Sequence, residues 1–260
     1  MKTRGKRKGK KMLESTRSKP GLKFLWSHQG FLHRMIVRFA NKVLRVIPFS
    51  IKYMVGRQFK KRLPPYSLLK GRVVVQVGAP FDTLNSGRSR GFYFSQLAGV
   101  DGRVLVIEPL VESVEAFKGR LKGQGIKNTI VHNSGAWSEP GESFINVDMN
   151  HPATNYTGDT VDYSTEREKE FQKVRIDLDT IDSIVEKYEL SNVFLVSVTT
   201  NWAEEEILKG MTRLIQGGVK FISLAYGKDG EDYVRLMETL GYMEYSHDDR
   251  GITFINKETS

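Results

Sequence analysis

The sequence predicts an α/β domain built on a doubly wound, mostly parallel sheet, preceded by a basic helical N-terminal extension. Three observations carry this. Short β-branched apolar runs recur at Val73–Val77, Arg103–Ile107, Thr129–His132, Val193–Val198 and Phe221–Ala225, each of a length that suits a buried parallel strand. Segments of helical period separate them, at Phe92–Gly99, Val111–Gly123, Ile181–Tyr188, Ala203–Ile215 and Glu231–Leu240. Strands alternating with helices argue crossover connections and a parallel sheet. A hairpin signal closes the pattern: Tyr242–Ser246, a turn at HDDRG and Ile252–Asn256, which predicts a last strand antiparallel to its neighbour.

Ahead of the first strand the chain reads differently. Residues 1–20 are basic and nearly free of large apolar groups, which predicts a disordered tail. No continuous apolar stretch follows the basic region, as a signal peptide would need, and no run approaches the ~20 apolar residues of a membrane span. Residues 21–70 form a basic amphipathic extension and linker. Over Gly30–Ile47, Leu32, Met35, Ile36, Phe39, Val43, Val46 and Ile47 recur at helical spacing, with Arg34, Arg38, Lys42 and Arg45 in a stripe beside them. Pro48 stops or kinks this helix. A shorter pattern, SIKYMVGRQFKKRL, then runs to Pro64-Pro65. The main domain occupies residues 71–260, with a polar, turn-rich loop over 149–170.

Composition bounds the chemistry. With 39 % hydrophobic and 27 % charged residues, the chain can bury a core. It has no cysteine, which excludes disulfides, thiolate metal sites and a thiol nucleophile, and its five histidines show no metal-ligand spacing. The formal charge of +10 is unevenly spread: residues 1–72 hold 21 Lys and Arg against one acid, Glu14, whereas residues 73–260 hold 19 against 29. A basic arm of that kind calls for an anionic partner.

In an open parallel sheet, ligands bind beyond the carboxyl ends of the strands. Those ends carry Gln76–Asp82, Glu108-Pro109, Asn133–Trp137 and Thr199–Glu204. Gly78 and Ala79 are small enough for a close backbone approach. Glu108, an acid at the tip of the second strand, is placed to accept hydrogen bonds from both hydroxyls of a ribose, or else to favour the dipole of the helix that follows. Arg88 and Arg90, in the lengthened first turn, are candidates for an anion or for solvent.

Taken in order, VVVQVGA, GRVLVIEP, NSGAWSEPGE, VRIDLDTIDSIV and VSVTTNWAEEEILKGM resemble the FkbM family of S-adenosylmethionine-dependent methyltransferases over about residues 72–226. The resemblance implies a Rossmann-like, seven-stranded sheet, S-adenosylmethionine as cofactor, and methyl transfer to a sugar or other hydroxyl oxygen. By position it implies that Gln76, Gly78, Ala79 and Asp82 line the methionine part of the cofactor, that Glu108 holds the ribose, and that Ser134 to Trp137, notably Ala136 and Trp137, border the adenine. Thr199, Asn201 and Glu204 fall at the transfer site, and Asp177 and Asp179 read as helix-start acids. Many members have Asp at the position of Gln76, Gly at that of Asp82, and D-x-E-G-A-E where this chain has Thr199 to Glu204 with Trp202 inside. With hydroxyl and amide groups there, a divalent metal is not expected. Glu204, Asp82 and His132 are the candidates to take the proton of an acceptor hydroxyl.

Three readings follow. A methyltransferase could act on a sugar or glycolipid, cytoplasmic or peripheral at an anionic membrane surface met through residues 1–62. An RNA methyltransferase could use the basic arm on phosphates. The motif departures also allow a cofactor-binding protein with a decayed site.

Overall fold

The computed structural model describes residues 47–148, 156–157, 171–201, 203–225, 230–248 and 251–259. They fall in one compact unit, Pro48–Ser260; the other unit, Met1–Ile47, lies outside the described residues except for Ile47, and with it the tail and the helix expected over Gly30–Ile47. The strands are β1 (Val73–Val77), β2 (Arg103–Ile107), β3 (Thr129–His132), β4 (Gly135–Ala136), β5 (Gly141–Asp148), β6 (Tyr156–Thr157), β7 (Phe171–Asp179), β8 (Val193–Val198), β9 (Phe221–Ala225), β10 (Tyr242–His247) and β11 (Gly251–Asn256). The helices are α1 (Phe49–Lys60), α2 (Phe81–Asn85), α3 (Arg90–Ala98), α4 (Val111–Gly123), α5 (Ile181–Lys187), α6 (Glu204–Lys209), α7 (Thr212–Gln216) and α8 (Gly230–Thr239).

Seven strands form one sheet in the order β10-β11-β9-β8-β1-β2-β3. All its pairings are parallel except those of β11, which is antiparallel to both β9 and β10. This is the Rossmann-like sheet with an antiparallel last strand that the sequence implied. From β1 the chain first builds outward through β2 and β3, then returns to place β8 on the other side of β1. The order therefore reverses between β1 and β8, and a crevice opens there at their carboxyl ends.

Alternate residues of the central strands feed two core layers. Val75, Val77, Leu105, Ile107, Val196 and Val198 pack with Ile181, Ile184, Ile207 and Leu208 of α5 and α6. Val74, Val104, Val106 and Leu195 pack on the other face with Tyr53 of α1, Phe92 and Phe94 of α3, and Phe117 of α4. Tyr53 anchors α1: its ring lies 4.4 Å from that of Phe92, its hydroxyl donates to Leu84 O at 2.9 Å, and it accepts from Ser89 N at 3.2 Å.

One register of the sheet is polar. Gln76 of β1 pairs with Ser197 of β8, Ser197 with Ser223 of β9, and Ser223 with Thr253 of β11. All four are buried. Buried polar groups need partners; Thr253 donates to Ser223 Oγ at 3.2 Å, and Arg90 serves the two serines. Its Nη1 donates to Ser197 Oγ at 3.2 Å and Ser223 Oγ at 2.8 Å, while Nη2 forks onto Asp248 at 2.5 and 2.6 Å. Tyr66 donates to the same carboxylate at 3.3 Å. Arg90 is thus a buried brace between the first turn and the terminal hairpin, where the sequence offered it to a bound anion or to solvent.

Other expectations shift. Residues 135–179 contribute a second sheet, β4-β7-β5-β6, in which β5 and β7 pair antiparallel from Gly141↔Leu178 to Asp148↔Phe171. Of the loop expected over 149–170, Tyr156 and Thr157 pair with Asn146 and Ile145, and the rest lies outside the described residues. Asp177 and Asp179 belong to β7, and the cap of α5 is Thr180, which accepts from Ser183 N at 3.0 Å. The single helix expected over Ala203–Ile215 is two, broken around Gly210. A Cβ on Gly210 would come within 1.9 Å of Trp137 O, so the chain needs glycine where these backbones meet.

Candidate active site

The crevice at the switch point holds a cavity of about 100 Å³. Gly78 and Pro80 follow β1, Glu108 and Pro109 follow β2, and Thr199, Thr200 and Asn201 follow β8; all line it. Gly135, Ala136 and Trp137 close another side, and Ile145, Ile176 and Leu178 of the second sheet complete the wall.

Gly78 sits at φ +81°, and a Cβ on it would lie 2.4 Å from Thr199 O. Glycine therefore lets β1 turn away against β8. Beneath the turn, Gln76 Nε2 lies 2.6 Å from Val77 O, 2.9 Å from Gly78 O and 2.7 Å from Thr199 Oγ1. Two of these three acceptors are backbone carbonyls. A carboxylate here would face them oxygen to oxygen, so the amide suits this turn where an acid was expected. Gln76 is fully buried below the cavity and does not line it, and its Oε1 has no partner.

Glu108 is 4 % exposed, yet it lines the cavity. Oε2 accepts from Ala79 N at 2.7 Å and Oε1 from Leu110 N at 3.1 Å. A carboxylate has about four acceptor positions, so two remain for a ligand. Burial pushes its pKa up to about 7; the two backbone donors lower it in part, and Asp82 raises it further. Asn133 donates to Glu108 O and Pro109 O at 3.0 and 2.8 Å and fixes the turn below.

The structure brings Gly78, Glu108, Ala136, Trp137, Thr199 and Asn201 together, as the sequence proposed. Ala79 enters through its N–H to Glu108. Asp82 lies off the cavity in the first turn of α2, where Oδ1 accepts from Thr83 N at 2.7 Å. Glu204 also lies off it. Its side chain turns toward α8, and Oε2 accepts from Tyr233 Oη at 3.1 Å. Burial raises its pKa; the adjacent Thr200 and Tyr233 side chains oppose this, although Oε1 makes no hydrogen bond of good geometry. His132 shares a 2.9 Å hydrogen bond with Tyr188 and is held below the usual histidine range by burial. Ser134 is buried beside the wall. Trp202 lies outside the described residues.

Sequence reasoning missed Ile145, Ile176 and Leu178. The alternation of Val174, Ile176 and Leu178 is a strand signal of period 2, and it places these side chains with Ile145 in one apolar cluster. This donor set suits the ribose and base end of a nucleoside: an acid with two free acceptor positions, a glycine turn beside it, and an apolar slot between Ala136 and Leu178. The volume is below the ~300–1,000 Å³ of pockets for whole drug-sized ligands, and so matches part of such a molecule.

No family model matches the chain, and no curated protein matches it. Solved structures do resemble it. Methyltransferase FkbM from Methylobacillus flagellatus KT aligns at 15 % identity over 86 % of this chain and 59 % of that one, with a TM-score of 0.46. This chain therefore spans under two thirds of that protein's length. A SAM-dependent methyltransferase from Aquifex aeolicus aligns at 16 % identity over 75 % and 85 % of the two chains, with a TM-score of 0.41. Aeropyrum pernix fibrillarin, with natively bound S-adenosyl-L-methionine, aligns at 11 % identity over 78 % and 72 %, with a TM-score of 0.42. At such scores none of these likenesses carries an argument for activity, cofactor or acceptor, which rest on this chain's own residues.

Proposed function

We propose that the chain is an S-adenosylmethionine-dependent methyltransferase acting on a hydroxyl acceptor such as a sugar or glycolipid. The observation that carries this reading is Glu108, a buried acid at the tip of β2 that lines a cavity at the switch point and has acceptor capacity beyond its two backbone partners. When bound, the cofactor supplies an electrophilic methyl group. Glu108 accepts the two ribose hydroxyls. Gly78 lets backbone approach the same molecule, and Ala136, Trp137 and Leu178 enclose the base and exclude water. Thr199 and Asn201 offer polar contacts at the end of β8. Glu204 lies off the cavity against Thr200 and Tyr233 and is assigned to positioning the end of β8, and the acceptor's proton is released to solvent. Alignment and exclusion of water are the protein's contributions, and the reactivity is the cofactor's.

Calorimetry with S-adenosylmethionine is the direct test. Wild type is expected to bind, and Glu108→Ala to bind about 100-fold more weakly, as the loss of two charge-assisted hydrogen bonds implies. No heat with wild type at millimolar cofactor would remove the reading in favour of a decayed site. Labelled-methyl transfer into separate glycan, lipid and RNA extracts identifies the acceptor; label confined to RNA would replace the hydroxyl-sugar assignment.

A further inference from the structure

Among the described residues, helix α1 is anchored on one side only. Tyr53 is fully buried in the core, whereas Ile51, Met54, Val55 and Phe59 are 44, 55, 47 and 65 % exposed. At ~100° per residue these four cover an arc of about 140° centred opposite Tyr53, with the exposed Gln58 as the polar residue inside it. The outward arc of a helix on a globular domain is ordinarily polar, and a contiguous apolar patch marks an interaction surface. Arg57, Lys61 and Arg62, all exposed, adjoin the arc, and no acidic residue occurs between Glu14 and Asp82.

We propose that this arc docks on an anionic phospholipid surface, with Ile51, Met54, Val55 and Phe59 entering the interface and Arg57, Lys61 and Arg62 at the phosphates. Three arguments select that occupant. Large apolar side chains bordered by Lys and Arg are the pattern of a helix lying in the plane of a bilayer interface. A nucleic acid would use the cations but leave Ile51, Met54 and Val55 in water. A second copy meeting this arc about a two-fold axis would bring the same cations face to face, without an acid on α1 to offset them. No described helix is long and apolar enough to cross a membrane. The proposal does not depend on the enzyme reading, since none of these residues lines the cavity.

The test is co-sedimentation of the full chain with phosphatidylcholine vesicles, with and without phosphatidylglycerol, at about 0.1 M and 0.5 M salt. Higher salt shortens electrostatic range to a few ångströms and so suppresses attraction by the basic tail. Wild type is expected to sediment with the anionic vesicles and to retain part of that binding at high salt. Val55→Ser with Phe59→Ser is expected to lower the high-salt partition about tenfold, from the apolar area withdrawn from the interface. The double variant should keep the wild-type melting temperature and S-adenosylmethionine binding, which separates this result from failure of the site. Equal partition of variant and wild type would overturn the proposal. So would a wild-type dimer that the double variant converts to monomer with vesicle binding unchanged, or a loss confined to RNA binding.

Discussion

At the scale of the residue, the site depends on two positions whose neighbours leave little choice. Gly78 combines a positive φ with a Cβ position blocked by Thr199 O. Gly78→Ala is therefore expected to destabilise the domain by about 3 kcal/mol, from left-handed strain plus overpacking, measured as a lower urea midpoint with unchanged m-value. Glu108 has the opposite character: its neighbours tolerate it at a cost that a ligand can offset. Hydroxyls donating to the carboxylate favour its ionised form, so nucleoside affinity should rise as pH increases through about 7. Calorimetry at pH 6 and pH 8 checks the sign, and tighter binding at pH 6 would count against Glu108 as the diol acceptor. Glu108 was legible from the sequence because strand length, turn and spacing fix a residue at a strand tip. The buried orientation of Glu204 toward Tyr233 was not, since it depends on where α8, more than twenty residues later, packs.

At the scale of the element, the strands and helices of the main sheet were readable because each carries its own period. Val111–Gly123 and the five parallel strands fall where apolar spacing put them. The second sheet was harder. Its strands β5 and β7 are separated in the chain by a long polar stretch, and β5 buries only its second half. Arg90 shows the same limit. Ser197, Ser223 and Thr253 interrupt apolar runs at matched register, but only the strand order makes them neighbours. The resulting brace makes a prediction for α3 and the hairpin. Asp248→Leu leaves a buried guanidinium uncompensated and should cost about 3–5 kcal/mol. Arg90→Met combined with Asp248→Leu should cost less than the sum of the single changes. Chemical denaturation of the four proteins measures the coupling, and simple additivity would show that the pair is not one unit.

At the scale of the whole molecule, one carboxyl group tilts the pH dependence of folding. Glu108 titrates near 4.5 when unfolded and at about 7 in the folded chain. The folded state therefore holds the proton more tightly. Its contribution is fully present below about pH 4.5 and is lost as pH rises through about 7, a swing of about 3 kcal/mol. Glu108→Gln removes this swing, so the stability difference between variant and wild type should move in favour of the variant from pH 4.5 to pH 8 and level off above that. A constant difference across the range would place the folded pKa near its ordinary value. The strand order has a consequence for synthesis. Strand β11, Gly251–Asn256, follows β9 and β10 in the chain, yet it is not an edge but a filler between them. Until it arrives, Phe221–Ala225 offers a bare row of amides and carbonyls to any passing strand. Polypeptides halted before Gly251 should consequently collect in inclusion bodies, whereas a chain that carries Gly251–Asn256 has a partner for that ladder.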